Sequence, residues 1–449
     1  MKLTLIILAL LLIAAVPGYI MLTATSTVIA VNPPVKVIGF DTPVPIHLTN
    51  KHGVKSVSVS VEQDGKSYPE SVPALNAADV TVKIGKQSVP ALHDGKARIV
   101  ISAVSNDLRH KTTTNAFDVD VMTTPPRVVA DGIQHYINQG GSEMAVFTPS
   151  GAWTEAGVKV GDRAFRSFPL PDHPGQYFSL FAFSWNLPVD TPVSVYASNP
   201  SGALAKAAFW YKIFPKKFRS SIIPLESMHV ERMVDGIDPQ HKIPGDYVQR
   251  FVYINSKMRV ENNKTLSDLR LQTEPKFLWT GAFLPMVDST VESRFADDRT
   301  YTWKGKKIDE QTHLGFDLAK VAHSPVPASN DGKVIWAQDL GIYGNCIVID
   351  HGYGLQTVYG HLSEFLVKKG DMVKKGQTIG KTGMTGLAGG DHLHFTMQVD
   401  GVQVNAVEWW DPHWIKDRIL SKLGTTLASD AQVEPQPKPA VHRARKRRR

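Results

Sequence analysis

The stretch from His313 to His394 constrains this chain more than any other. Three short segments carry its chemistry: Thr312-His313-Leu314-Gly315-Phe316-Asp317, Tyr359-Gly360-His361-Leu362-Ser363 and Asp391-His392-Leu393-His394-Phe395. His313 and Asp317 are four residues apart and share a face of either a helix or a strand. Gly315 between them, and the alternation around them, favour a strand. His392 and His394 are two apart, so they share a face only in extended chain, with Leu393 and Phe395 turned towards a core. Two imidazoles and one carboxylate suit a tetrahedral metal site whose fourth position is left to water. Each fragment alone is weak, because a His four residues from an Asp is ordinarily a surface pair. The combination with His361 and the surrounding glycines carries the metal reading.

These residues resemble the LytM/lysostaphin-type zinc metallopeptidases, which cut peptide bonds in bacterial peptidoglycan. The resemblance runs from about Ser293 to Glu408 and includes Asp331-Gly332, Tyr343-Gly344-Asn345, Asp350-His351-Gly352-Tyr353-Gly354 and the run from Val367 to Thr385. It implies that His313, Asp317 and His394 hold one zinc ion and that His361 and His392 act in the reaction. From the residues alone, either His392 or His394 could be the one that touches zinc. Two positions depart from the family pattern: Asp391 stands where proline is frequent, and Thr396 stands where glutamate is frequent. Asp391 is free to bond a histidine or a backbone turn, and Thr396 removes a carboxylate behind the metal ligands, where such partners orient them.

One segment has a rival meaning. Val367 to Gly380 resembles strands of biotinyl or lipoyl carrier domains, but it is not flanked by a hairpin tip bearing a lysine for modification. A carrier would also have no use for the histidines and Asp317.

At 449 residues the chain has room for about three domains. The single cysteine, Cys346, excludes an intrachain disulfide and sits in a buried-strand pattern, as a core residue. The net charge of +8 is concentrated at the end, where Arg443, Arg445, Lys446, Arg447, Arg448 and Arg449 stand within seven residues. The body is therefore nearly neutral, and no nucleic-acid partner is expected. The tail, residues 424–449, reads as disordered, with an anionic surface as its candidate contact.

Met1-Lys2 precedes 20 uncharged residues, Leu3 to Leu22. That length can cross a hydrocarbon core of about 30 Å as a helix. Residues 1–24 are read as an uncleaved transmembrane signal anchor, with a cleaved signal peptide as the alternative. Lys2 would stay in the cytoplasm. The expected location is the bacterial cell membrane, single-pass, with the catalytic region in the periplasm or cell exterior.

The fold class expected is mainly β. Residues 28–123 read as a β-sandwich-like domain, from alternating runs such as Ser56–Val61 and Phe117–Val121 separated by Asp64-Gly65 and Asp94-Gly95 turns. Residues 127–214 read as a second β-rich domain with strands at Met144–Phe147, Phe178–Phe183, Pro192–Ala197 and Ala207–Phe214. Its aromatics, among them Phe178, Phe181, Phe183 and Trp210, could form a sugar platform, but a core is the stronger default. Residues 216–275 read as a helical connector, with Asp246 capping a helix from Tyr247. Residues 277–423 read as an all-β LytM-type peptidase domain closed by a helix after Asp411-Pro412. His351, in a glycine-rich turn, reads as structural.

The function expected is a zinc-dependent endopeptidase acting on peptidoglycan stem peptides or cross-links. One alternative is a non-catalytic LytM-like regulator that activates another wall hydrolase. The other is a zinc peptidase with a protein substrate.

Overall fold

The structure is a computed structural model that describes residues 25–73 and 78–423. The expected anchor (1–24) and basic tail (424–449) lie outside the described residues. Among the described residues, no helix is long and apolar enough to cross a membrane. The chain divides into two compact units, one comprising residues up to 128 with 149–156 and 196–206, the other 129–148, 157–195 and everything from 207 onward.

In the first unit, a three-stranded sheet (Val28–Val31, Thr42–Thr49, Asp79–Ile84) and a five-stranded sheet share one core. The five-stranded sheet is built on Val54–Gln63, Gly95–Ser105 and Thr112–Val121. Alternation does the sorting, as the Ser56–Val61 pattern predicts. Val59 pairs with Ile101 and Val61 with Ile99, all four buried, while Ser58 and Ser60 take the opposite face.

In the second unit, Ser142–Phe147 pairs antiparallel with Tyr177–Ala182, and His135–Asn138 pairs parallel with Tyr211–Phe214. The expected run Ala207–Phe214 is split into Leu204–Ala207 and Tyr211–Phe214. Phe178, Phe181 and Phe183 are fully buried, which settles them as core, whereas Trp210 is half exposed.

The connector is a correction to the sequence reading. It opens not with a helix but with a strand, Ser220–Pro224, which pairs in parallel with Asp297–Trp303. Ser221 and Ile223 are partly buried between more exposed residues, a period of two hidden in a charged segment. The helices follow: Val230–Ile237, Tyr247–Tyr253, a π-helical turn Ile254–Met258, and Arg259–Asp268. Asp246 does cap the Tyr247 helix. Its side chain accepts from Gln249 N while the Gln249 side chain accepts from Asp246 N, a complete capping box.

The C-terminal β region is an antiparallel sheet. Its central order is Thr290–Ser293, Phe316–Ala319, Leu393–Val399, Leu355–Leu362, Asn345–Asp350, Gly332–Asp339 and Met372–Val373. The Leu355–Leu362 and Leu393–Val399 strands are buried at every residue, on both faces. The connector supplies part of that cover: Gln356 and Gln398 donate to the carbonyls of Leu269 and Leu266 at the end of the last helix. Cys346 is fully buried in this core, and burial pushes its thiol pKa up. His351 is buried and held at both ring nitrogens, by Asp331 O and Thr357 Oγ1. The closing helix, Pro412–Arg418, starts at Asp411, whose side chain accepts from His413 N.

Candidate metal centre

The register of the sheet brings the key residues together. Asp317 pairs directly with His394, and His394 pairs on its other side with Gly360. His313 comes from a different sheet: it ends the Lys306–His313 strand, opposite Asp297. The H-x-x-x-D segment is therefore not one strand, as its spacing suggests. Leu314-Gly315 breaks it, and the chain passes from one sheet to the other. Glycine at 315 is what allows the break. A Cβ there would lie 2.5 Å from Thr396 Oγ1 and 2.6 Å from His394 Cε1.

His361 reaches the site through a bulge. Asn345 opposes Leu362 while Ile347 opposes Tyr359, so Gly360 and His361 together face a single residue. His361 adopts φ +62°, the left-handed region that side chains rarely take. Such a bulge re-aims a side chain, and its position beside the other histidines fits the rule that backbone strain gathers at functional sites.

Each imidazole has one nitrogen committed to an acceptor behind it. His313 Nδ1 donates to Arg294 O at 3.1 Å, His361 Nδ1 to Thr385 O at 2.8 Å, and His392 Nδ1 to Gly390 O at 2.9 Å. The Thr396 hydroxyl gives its proton to Leu314 O, so it accepts from His394 Nε2 at 3.0 Å. On His313 and His394 the remaining nitrogens carry lone pairs and turn inward. His313 Nε2 and His394 Nδ1 lie 2.9 Å apart, and Asp317 Oδ1 lies 2.9 and 3.1 Å from them. Three acceptor atoms thus meet with no proton of their own between them, and mutual repulsion is relieved only by a cation. His313, Asp317 and His394 form a group able to hold a metal ion, with ligand atoms all within 4.8 Å of one another. The donor set suits zinc, which takes imidazole and carboxylate ligands.

A hydroxyl, that of Thr396, stands behind His394. Loss of the carboxylate does not leave His394 unsupported, because the hydroxyl takes the ring proton in its place. Asp391 bonds a turn, as one of its two options foresaw, accepting from His323 N and from Thr382 Oγ1.

His361 and His392 stand beside this group, their ring centroids 4.8 Å apart. His392 Nε2 lies 3.4 Å from Asp317 Oδ1. Burial opposes charge on every ring, and the neighbours decide the result. Burial, then the charges of His392 and His394, hold His361 well below the ordinary histidine value. Burial brings His394 down to about 4. Burial also opposes a charge on His392, but the hydrogen bond to Asp317 and its negative charge outweigh it and raise the pKa. Burial would raise Asp317, but its histidine neighbours, His313 first among them, hold it well below the carboxylate range.

Arg299 was not singled out from the sequence. Its Nη2 donates to Asp317 Oδ2 at 2.6 Å, fixing the carboxylate so that Oδ1 faces the histidines. Its signal was available. In the Asp297–Trp303 strand, period two puts Arg299 on the face of the buried Asp297 and Tyr301. The five predicted residues and Arg299 line one cleft of about 550 Å³, whose far wall comes from the connector through Ile222, Met228 and Arg259.

A β sheet buried on both faces, with two histidines and an aspartate converging at its centre, is the architecture of a metallopeptidase domain. Residues 311–406 match the family profile Peptidase family M23, and the chain carries an M23 peptidase domain. It is 45% identical over 96 residues to the peptidoglycan DD-endopeptidase ShyA of Vibrio cholerae, covering 21% of this chain and 22% of that one. It is 36% identical over 126 residues to the DD-carboxypeptidase/endopeptidase Mpg of Neisseria meningitidis, covering 27% of each chain. The chain thus spans only about a quarter of the length of these curated relatives. Among solved structures, a peptidase M23 from Pseudomonas aeruginosa aligns with a TM-score of 0.36 at 19% identity, covering 58% of this chain and 90% of that one.

Proposed function

We propose that this chain is a zinc-dependent endopeptidase that hydrolyses peptide bonds in the stem peptides or cross-links of bacterial peptidoglycan. Its apolar N-terminal segment would anchor it in the cytoplasmic membrane with the M23 domain outside. The observation that carries the reading is the convergence of unprotonated His313 Nε2, His394 Nδ1 and Asp317 Oδ1 beside two further histidines. The substrate class is supported by relatives named as peptidoglycan DD-endopeptidases.

In this reading His313, Asp317 and His394 hold the zinc, which when bound acidifies a water and polarises the scissile carbonyl. The rest falls to the chain. Arg299 keeps Asp317 oriented through Oδ2. Arg294 O and Thr396 Oγ1 hold the ligand rings in the tautomers that aim lone pairs inward. His361, pinned at Nδ1 by Thr385 O, presents Nε2 to the cleft and orients the attacking water. His392, pinned at Nδ1 by Gly390 O, presents Nε2 on the other side of Asp317. Holding a proton there, it stabilises the negative charge that develops on the carbonyl oxygen and gives the proton to the leaving amine.

The test is release of soluble muropeptides from purified sacculi by the full chain, with and without chelator and beside His313→Ala. Products cut at peptide bonds, lost in both controls, are expected. No release by a zinc-loaded chain would overturn the wall-peptide substrate and favour a protein substrate. No bound metal would leave the regulator, a reading the complete ligand set argues against.

A further inference from the structure

The connector wall of the cleft carries an arginine held out for a ligand. Arg259 begins the Arg259–Asp268 helix and lines the same cleft as His313, His361 and His392. Two of its five N–H groups are used internally. Nε donates to Asn255 O at 2.9 Å and Nη2 to Asn255 Oδ1 at 2.5 Å. Asn255 is itself fully buried and locked from behind, its Nδ2 donating to Asp309 Oδ2 at 2.7 Å. It sits inside the π-helical turn Ile254–Met258, an irregularity that gathers at functional sites.

The helix is fixed against the centre as well. Asn262 Oδ1 accepts from Ile342 N at 2.9 Å. Asn263 Oδ1 accepts from the hydroxyl of Tyr343, whose ring stands 5.4 Å from that of His394. Asn263 is one helical turn from Arg259, so the two share a face of the helix.

The other cleft arginines stand beside carboxylates. Arg299 pairs with Asp317, and Arg219 lies 3.9 Å from Asp297. Arg259 has no carboxylate partner among the described residues, and its outer edge keeps paired N–H groups in the fork that matches a carboxylate. A guanidinium braced this firmly, with its charge unanswered, is preorganised for an anion.

We propose that Arg259 is a specificity residue that binds a free carboxylate of the peptide substrate, belonging either to a chain terminus or to a diacid side chain. This rests on the peptidase reading for the word substrate, but not for the binding itself.

The experiment is titration calorimetry on the full chain with a short alanyl peptide bearing one terminal and one side-chain carboxylate, and with its two mono-amidated forms. Amidating the recognised carboxylate is expected to weaken binding about tenfold or more, and the form that weakens identifies which carboxylate it is. Arg259→Gln should bind all three peptides alike. Arg259→Lys, which keeps the charge but not the fork, should restore part of the difference. Melting temperatures of both variants show whether the helix survives. Equal binding of all three forms by the natural chain, no binding of any, or a preference that persists in Arg259→Gln would overturn the proposal. Discrimination by a chain that releases no muropeptides from sacculi would remove the peptidoglycan-peptidase reading and leave the carboxylate site standing.

Discussion

The N-terminal sandwich and the C-terminal sheet are both antiparallel β structure, yet their strands follow different rules. Along Gly95–Ser105 buried residues alternate with more exposed ones, since one face meets the core and the other meets water. Along Leu355–Leu362 and Leu393–Val399 every residue is buried, including Gln356, Thr357, His361, His394, Thr396 and Gln398. The sandwich uses its buried face mainly for apolar packing, with polar groups such as Gln63 and Ser105 only at the strand ends. The C-terminal sheet buries polar groups on both faces and satisfies most of them, Gln398 Oε1 excepted, because an unpaired buried polar group costs about 1–3 kcal/mol. That requirement is what turns a sheet into a site. The backbone and side-chain acceptors that quiet each histidine also decide which nitrogen faces the cleft.

The largest effect should come from breaking the charge at the centre. Asp317→Ala removes a ligand, leaves Arg299 buried beside the histidines without its anion, and should lower metal affinity and activity by about a thousandfold or more. Metal content by mass spectrometry checks it. In the sandwich the comparable loss is apolar. Ile99→Ala empties a fully buried position and should cost about 2–5 kcal/mol of that unit's stability. Denaturant melts should show the loss while bound metal stays constant.

The two kinds of glycine sharpen the contrast. Gly315→Ala drives a Cβ against the His394 ring and should weaken metal binding by about 10–100-fold, like removal of a supporting contact. Gly65 has φ +74° at a sandwich turn with open space around it, so Gly65→Ala carries only backbone strain, about 1 kcal/mol.

A smaller effect is expected from pH. Glu408 is buried and accepts from Asn138 Nδ2 and Ser142 N, and burial pushes its pKa up from 4.5 to about 7. Its folded pKa lies above the unfolded one, so its contribution is fully present below about pH 4.5 and is lost as pH rises through about 7. The second unit should therefore lose stability between those limits by an amount that Glu408→Gln removes. Parallel melts of the two proteins from pH 5 to 8 measure it. Equal slopes would show that Glu408 does not carry the dependence.

The sandwich was legible because alternation of Val and Ser reports which face meets water, and Asp-Gly turns mark the ends. The metal ligands were legible because their spacing and order carry a family pattern. The connector strand Ser220–Pro224 was not, because its partner, Asp297–Trp303, lies more than seventy residues away. Nothing local in Arg219-Ser220-Ser221-Ile222 announces a parallel pairing. Arg299 was missed for a related reason: its meaning depends on Asp317, on a strand of another sheet.

By itself, then, the sequence determined which side chains can take part: two histidines and an aspartate with the chemistry of a metal site, two further histidines beside them, a mainly β chain, and a cysteine confined to the core. Only the tertiary structure decided what each atom does. A histidine has two nitrogens, and which one carries the proton depends on the acceptor packed behind it. Those acceptors, Arg294 O, Thr385 O, Gly390 O and Thr396 Oγ1, come from backbone and a hydroxyl that have no signature in a sequence. Folding places them, and through them turns a set of residue types into lone pairs that meet at one point.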